Sequence, residues 1–154
     1  MYDTCAIVLT SAAWLTSLNS NRLEITMELT VHNTRRVLAS NLRTFAARAS
    51  HLRHNPRQIA VSVIDRHATQ CIANANFCFQ IYAIDGDAYA KIRDIITDIT
   101  VDIRRLRKVA KATNYICGQD AAISAARLDA TYQINRLWEL INFYNDEAQA
   151  TSAA

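Results

Sequence analysis

The chain has 154 residues, enough for one domain with a sizeable core, and it carries a net charge of only +3. It contains two glycines and one proline, whereas average usage would supply about eighteen of the two together. Sheets, hairpins and phosphate-binding loops need these residues at their turns. The composition therefore excludes a glycine-rich nucleotide fingerprint and favours long helices, and the mild net charge does not demand a nucleic-acid partner.

The N-terminus is uncharged from residue 4 to residue 21, TCAIVLTSAAWLTSLNSN, and only Asp3 precedes this run as a charged side chain. It therefore lacks the basic start of a secretory signal. Its apolar part, residues 5–18, is shorter than the ~20 residues that span a bilayer. We expect an apolar leader helix over residues 1–18, buried against its own bundle or a neighbouring subunit, with transient membrane contact as the alternative. The candidate contact residues are Ile7, Val8, Leu9, Trp14 and Leu15.

A second helix is predicted to begin near Arg22, because serine and asparagine at residues 19–21 can cap it. Apolar positions then recur every three or four residues. They are Leu23, Met27, Val31, Thr34, Leu38, Leu42, Phe45, Ala49 and Leu52. The alternation in LEITMELTV also fits a strand, but the longer three-four register favours a helix. Asn55-Pro56 then predicts a break.

Three further helices follow the break. The third runs to about Ala83, and its inward positions are Ile64, Ala68, Cys71, Ile72, Ala75, Phe79 and Tyr82. After the turn Asp85-Gly86-Asp87, with Asp87 as cap, the fourth covers about 88–117 and ends at Gly118. Its apolar positions are Ile92, Ile95, Ile99, Ile103, Leu106 and Val109.

The fifth helix, about 121–147, is capped by Asp120 and shows the four-three spacing of a bundle seam. Its seam residues are Ala130, Ile134, Leu137, Ile141 and Tyr144. The fold is therefore predicted to be all-α, a bundle of about four long antiparallel helices with a short apolar N-terminal helix. Residues 1–148 form one domain, and residues 149–154 form a loose tail.

Cysteines and histidines give no convincing site. Cys5, Cys71, Cys78 and Cys117 form no CxxC pair, so we expect buried, reduced thiols at Cys71 and Cys78, which share a helical face. His67 with Cys71, and His51 with His54, have the spacing of helical ligands. A helical metal site usually adds carboxylates, as in Glu-x-x-His, and no glutamate here has a histidine three residues later. We predict no metal and no cofactor.

Catalysis has no better support from the sequence. No glycine-bearing elbow or oxyanion loop accompanies the serines, cysteines or histidines, and Asp65 near His67 is the one acid placed to orient a base. The chain is therefore predicted not to be an enzyme.

Clustered positive charge is the stronger signal. After Glu28 no carboxylate occurs until Asp65, and six arginines fall in the gap: Arg35, Arg36, Arg43, Arg48, Arg53 and Arg57. A second cluster occupies the later half of the fourth helix and comprises Arg104, Arg105, Arg107, Lys108 and Lys111. The earlier half of that helix carries Asp87, Asp94, Asp98 and Asp102. Matching to the helix dipole explains part of this order but does not require so many bases.

Two explanations compete for these basic residues. They pair with the aspartates of the fourth helix, in the same or a neighbouring subunit, or they contact phosphates. Aromatic residues for base stacking are absent from both stretches except Phe45, which disfavours single-strand recognition. Pairing between helices is the preferred interpretation, and a small basic DNA- or RNA-binding module is the alternative.

The stretch ELTVHNTRRVLASNLRTFAARASHLRHNPRQI resembles the central region of the smallest internal core (ejection) protein of autographivirus-type short-tailed phages. The corresponding residues are Glu28, Leu29, Thr30, Asn33, Arg36, Val37, Ala39 and Arg43. CAIVLTSAAW stands where that family has its apolar leader, and Asn55-Pro56 replaces the family's hairpin glycines. The resemblance implies a non-enzymatic virion protein that assembles in homo-oligomeric rings above the portal with larger virion partners and helps to form a conduit through the host envelope as DNA leaves. DNA contact is a further expectation, and outside the virion we expect a cytoplasmic protein, in keeping with reduced cysteines.

A second resemblance concerns RHATQCIANANF, residues 66–77, which is similar to the chromophore-attachment helix of phycobiliproteins. Arg66, Ala68, Cys71 and Ile72 correspond, whereas the family's aspartate three residues past the cysteine is Asn74 here. This resemblance implies a pigment-binding protein with a bilin on Cys71, a lesser alternative to the other two functions.

Overall fold

The computed structural model describes residues 3–58, 60–112 and 120–153, with side-chain environments for residues 22–26, 30–56, 58, 60–112 and 121–144. Four α-helices account for nearly all of this: α1 (Asp3–His54), α2 (Val61–Gln80), α3 (Gly86–Ala112) and α4 (Asp120–Ala153). A 3-10 turn, Pro56–Gln58, joins α1 to α2. No strand occurs in the described ranges, so the predicted all-α class is confirmed.

The long first helix corrects one expectation. No break occurs at residues 19–21, and the predicted leader and second helix form one element of 52 residues. Serine and asparagine favour caps only where the chain leaves helical geometry, and no glycine or proline lies between Asp3 and His54 to force that departure. The helix ends directly before Asn55-Pro56, as predicted.

Neighbouring helices run antiparallel, as the order of their contacts shows. The Cys71 thiol on α2 donates to the carbonyl of Asn41 on α1 (3.6 Å), while Cys78, further along α2, donates to the earlier Thr34 carbonyl (3.8 Å). Each helix packs on the next in sequence, and α4 closes the ring against α1. As a result α1 and α3 lie diagonally across the bundle, as do α2 and α4. The predicted antiparallel bundle is confirmed.

The core follows the predicted seams within the bundle. Its fully buried large side chains come from all four helices and include Leu42, Phe45, Ile64, Ile92, Ile96, Ile99, Ile103, Leu106, Ile134, Leu137 and Ile141. Val109 is half-buried and Tyr144 packs on the edge of this core. Among the described side chains of α1, Val31 is the first that packs against the core, and it is partly buried. Leu23, predicted to be inward, is 65% exposed instead.

The end of α2 departs from the predicted helix to Ala83. The amide of Ala83 donates to the Cys78 carbonyl (2.8 Å) and that of Tyr82 to the Phe79 carbonyl (3.1 Å), the paired bonds of a Schellman motif. Tyr82 sits at the left-handed position of this motif, with φ of 60°, where glycine is usual. Tyr82 is therefore exposed, not inward, and Ala83 and Ile84, which follow it, are buried. Phe79, still within α2, is also exposed, because the buried stripe of that helix runs through Ala75 and Cys78.

The remaining helix ends differ from the sequence-based predictions in smaller ways. The Asp85 carboxylate, not that of Asp87, caps α3 by accepting from the amide of Ala88 (2.7 Å). The expected end of α3 at Gly118 lies outside the described residues. Helix α4 begins at Asp120, whose side chain is not described. It continues through residues 149–153, which were predicted to form a loose tail.

Candidate interaction surfaces

Two of the six clustered arginines at residues 35–57 form hydrogen bonds between α1 and neighbouring elements of the bundle. Arg35 donates through Nε to the carbonyl of Ala83, beyond the end of α2. Arg53 donates to the Thr131 hydroxyl on α4 (2.9 Å), and Arg127 on α4 donates back to the Arg53 carbonyl (3.2 Å). These two arginines therefore join α1 to its neighbours through neutral acceptors.

The other arginines of the series face outward. Arg36, Arg43 and Arg48 are exposed, and the side chain of Arg57 lies outside the described set. Within the described residues no ion pair joins an α1 arginine to an α3 aspartate. The described arginines of α1 therefore do not form the predicted pairs inside one subunit, because α1 and α3 are diagonal and the intervening core separates their outer faces. Pairing between subunits stays a prediction.

The basic half of α3 is partly neutralised by its two neighbours. Arg104 pairs with Asp65 on α2, and Arg105 with Asp129 on α4 at 3.4 Å. Such pairs on a surface contribute about 0–1 kcal/mol each. The rest of the cluster is Arg107, which is half-buried, and Lys108 and Lys111, which are exposed. The sequence thus identified bases whose partners lie on α2 and α4.

A cleft of about 440 Å³ opens between α1 and α2. Its lining is apolar and basic, and comprises Thr44, Ala47, Arg48, His51, Leu52, Gln58, Ala60 and Val63. Arg66, exposed and one turn beyond Val63 on α2, extends it by helical spacing. No described carboxylate lines it, because Asp65 turns to Arg104 on the other side of α2. We call the cleft together with Arg66 the basic cleft.

The outer side of α3 and α4 has the opposite character. A shallow depression of about 520 Å³ is lined by Asp102, Leu128, Asp129, Tyr132 and Gln133. Burial raises the pKa of the Asp102 carboxyl, as do the charges of Asp129 and Asp98, while Arg105 opposes them. We call Asp98, Asp102, Leu128, Asp129 and Tyr132 the acidic face.

The acidic face also exposes apolar side chains that were not predicted from the sequence. Leu128 is 69% and Tyr132 64% exposed. The sequence did contain a signal for this exposure, because both residues fall outside the four-three seam of α4 and therefore lie on the solvent side of that helix. Their position beside Asp129 could not be read from the chain alone.

A third cleft, of about 650 Å³, lies at the end of the bundle where α2 turns into α3. Its lining is Arg35, Phe79, Tyr82, Ala83, Ile84, Asp85, Gly86, Ala88, Phe143 and Tyr144. Tyr82 is 91% exposed despite its strained backbone, and Phe79 and Phe143 are also exposed. This aromatic end therefore forms a second apolar surface without cover from the bundle.

The cysteines and histidines are arranged as structural groups. Cys71 and Cys78 are free and fully buried, as predicted, and burial raises the pKa of Cys71 to about 11. An inaccessible, protonated thiol argues against bilin attachment at Cys71.

His67 packs its ring edge on Phe45, with centroids 5.6 Å apart. No group of three metal-ligating side chains occurs among the described residues, and His54 instead contacts Arg53 (3.1 Å).

The proposed N-terminal contact residues lie on α1, in the segment whose side chains are not described. They are Ile7, Val8, Leu9, Trp14 and Leu15. In the part of the chain that was searched, no helix combines the length and hydropathy needed to cross a membrane. The first described side chains of α1, residues 22–26, are all exposed. They include Leu23, which is 65% exposed, and Ile25, which is 58% exposed.

No protein-family model, curated protein or solved structure matches this chain. The surfaces of the molecule itself therefore carry the functional inference.

Proposed function

We propose that the chain is a non-enzymatic structural protein that associates with copies of itself through the N-terminal part of α1. The observation that carries this proposal is the length of α1 relative to the bundle. Thr34 lies against Cys78, near the end of α2, and Val31 is the first residue of α1 among the described side chains that packs on the core. Residues 3–30 therefore continue past the turn after α2 as roughly 40 Å of helix, at about 1.5 Å per residue.

Exposed apolar side chains on this extension require a partner. Leu23 and Ile25 are two positions apart, so they point to different sides of the helix. One packed neighbour cannot cover both, whereas two or more neighbouring copies can. Most helical stability in proteins comes from packing of an apolar face against other elements. Association around α1 would bury these side chains and stabilise the helix.

The aromatic end of the bundle supports the same conclusion. Exposed Phe79, Tyr82 and Phe143 lie at the end of the bundle where α1 and α4 continue past the turn between α2 and α3. Contiguous exposed apolar surface on a folded domain commonly marks a protein interface. A neighbouring copy that packs along residues 3–30 would also reach this end.

The resemblance to phage internal core proteins suggests where such an assembly acts. We infer a virion component of the ejection or head–tail machinery, with larger virion proteins as further partners. The uncharged leader and the mixed-sign helices are compatible with this role. Transient membrane contact by the leader belongs to the same proposal, and flotation of the full chain with lipid vesicles tests it.

Sedimentation velocity on the full chain tests self-association. We expect the wild type to form oligomers, and Leu23→Glu/Ile25→Glu to shift the distribution to monomer, because two charges cannot be buried without partners. Thr26→Glu/Thr30→Glu adds the same charges at neighbouring exposed polar positions and serves as the matched control. A wild type that stays monomeric over a wide concentration range would overturn the proposal.

Nucleic-acid binding is the second candidate, favoured by one observation. Arg36 and Arg43 are exposed and seven residues apart, hence on one side of α1. Filter binding of duplex DNA across a salt series tests it. Steep loss of affinity with salt, and further loss in Arg36→Glu/Arg43→Glu, would support this function, and no binding at low salt would remove it.

A further inference from the structure

We infer that the acidic face of one copy docks into the basic cleft of the next copy, so that bundles associate side by side. This inference rests on the proposed self-association and adds a second, chemically distinct contact to it. The occupant of the cleft is a second copy of this chain. Four features of the two surfaces support the assignment: their placement, their level along the bundle, their charge and their shape.

The two surfaces lie on opposite sides of the molecule. The helices follow one another around the bundle in chain order, and α4 closes against α1. The groove between α1 and α2 is therefore opposite the outer side of α3 and α4. A copy placed beside another in the same orientation presents its acidic face to its neighbour's basic cleft.

The two surfaces also lie at the same level along the bundle axis. Asp65 on α2 pairs with Arg104 on α3, and the adjacent Arg105 pairs with Asp129 on α4. Arg66, which follows Asp65, is therefore within about one turn of the level of Asp129. A lateral displacement without a shift along the axis brings these two residues together.

Arg48 belongs to the same level on the basic side. It lines the cleft together with Val63, one turn before Arg66 on α2. Its charge also contributes to lowering the pKa of His67, the residue next to Arg66. Arg48 and Arg66 thus place two guanidinium groups on adjacent helices at the position that faces the neighbour's carboxylates.

Charge complementarity favours the contact. The basic cleft has no described carboxylate, whereas Asp98, Asp102 and Asp129 cluster on the acidic face. Arg105 neutralises part of the Asp129 charge, and Arg136 lies over the Tyr132 ring (6.0 Å to its centroid) without an ion pair. The guanidinium groups of Arg48 and Arg66 would supply the missing counter-charge.

Shape complementarity favours it as well. Leu128 and Tyr132 protrude from the acidic face, next to Asp129. The basic cleft is concave and has the apolar side chains Leu52, Ala60 and Val63 in its lining. Insertion of two apolar side chains into an apolar cleft, bordered by opposite charges, is the usual anatomy of a specific interface. If every copy makes this contact with the next, the copies form a ring when the rotation between them closes, and a filament when it does not.

Charge reversal and mixing test the inference on the full chain. Arg48→Glu/Arg66→Glu makes both surfaces acidic, and Asp98→Lys/Asp129→Lys makes both basic. We expect each variant alone to associate at least about tenfold more weakly than the wild type in sedimentation velocity, because like charges then face each other. An equimolar mixture of the two variants is expected to regain association, since opposite charges meet again.

Matched variants separate this contact from the one on α1. Arg36→Glu/Arg43→Glu changes the same charge on residues that do not line the cleft, so docking through the cleft leaves association unchanged in this variant. Weaker association in this variant, with the Arg48→Glu/Arg66→Glu variant unaffected, would assign the contact to the exposed arginines of α1 and overturn the docking. Leu128→Ser/Tyr132→Ser should weaken association without lowering the thermal midpoint, since both side chains are solvent-exposed.

The outcomes distinguish the two proposals. If the reversal variants associate like the wild type while Leu23→Glu/Ile25→Glu does not, the docking of faces is wrong and self-association through α1 stands. If the mixture of reversal variants stays dissociated, the docking is likewise wrong. A wild type that is monomeric throughout overturns both.

Discussion

The two parts of α1 carry the same apolar spacing but have different surroundings. From Val31 to His54 the three-four pattern places Leu42 and Phe45 in a fully closed core. At residues 22–26 the same pattern continues in the same helix, yet Leu23 is largely exposed. Periodicity therefore determines which side of a helix is apolar, while neighbouring helices decide whether that side is buried. The proposed self-association would cover the exposed part.

The largest effect expected is a difference in stability between these parts. Phe45→Ala should lower the free energy of unfolding by about 3–5 kcal/mol, because it removes a fully buried ring and leaves a cavity. Leu23→Ala should change it by no more than about 0.5 kcal/mol, as expected for an exposed site. Urea denaturation at a concentration where the protein is monomeric measures both. Equal losses would contradict the contrast between the two parts.

A smaller and opposite effect is expected at the end of α2. Tyr82→Gly should stabilise the monomer by roughly 0.5–1 kcal/mol, because glycine adopts the left-handed conformation without the steric cost to a side chain. Little packing is lost, since Tyr82 is exposed. Tyr82→Ala keeps the strain and is the control. The thermal midpoint measures both variants, and a lower midpoint for the glycine variant would indicate that the Tyr82 side chain stabilises the turn.

The smallest effect concerns pH. Burial, assisted by the charge of Arg48, lowers the pKa of His67 in the folded state below its usual 6.5. The unfolded chain then binds the proton more readily, so stability falls as pH drops below about 6.5. His67→Gln should reduce the difference in urea midpoint between about pH 7.5 and pH 5.5. The exposed His51→Gln is the control, and an unchanged pH dependence in the His67 variant would refute this role.

Particular residues show where inference from sequence succeeded. Asn55-Pro56 stops α1 because proline excludes helical geometry in the residue before it, a purely local effect. Leu42, Ile99 and Ile134 were correctly assigned to the apolar side of their helices, because the side on which a residue lies depends only on spacing. Such local rules hold whatever the rest of the chain does.

Other residues show where it failed. Ser20 is a good capping residue but lies within α1, because capping also depends on whether the preceding chain can extend the helix. Tyr82 continues the inward spacing of α2, yet the Schellman turn places it outside the bundle. Phe79 is still helical and is exposed because it lies at the edge of the buried stripe that ends at Cys78. The described arginines of α1 do not pair with aspartates of α3 in the same subunit, because such pairing depends on which helices are adjacent.

The sequence by itself determined the all-α class, most of the core-facing positions and the interruption before α2, since each depends on residues within a few turns of one another. Only the tertiary structure decided that α1 and α3 are diagonal, that Arg104 and Arg105 reach Asp65 and Asp129, and that a basic cleft stands opposite an acidic face. The physical reason is that charge and exposure depend on distances between elements far apart in the chain, and packing sets those distances.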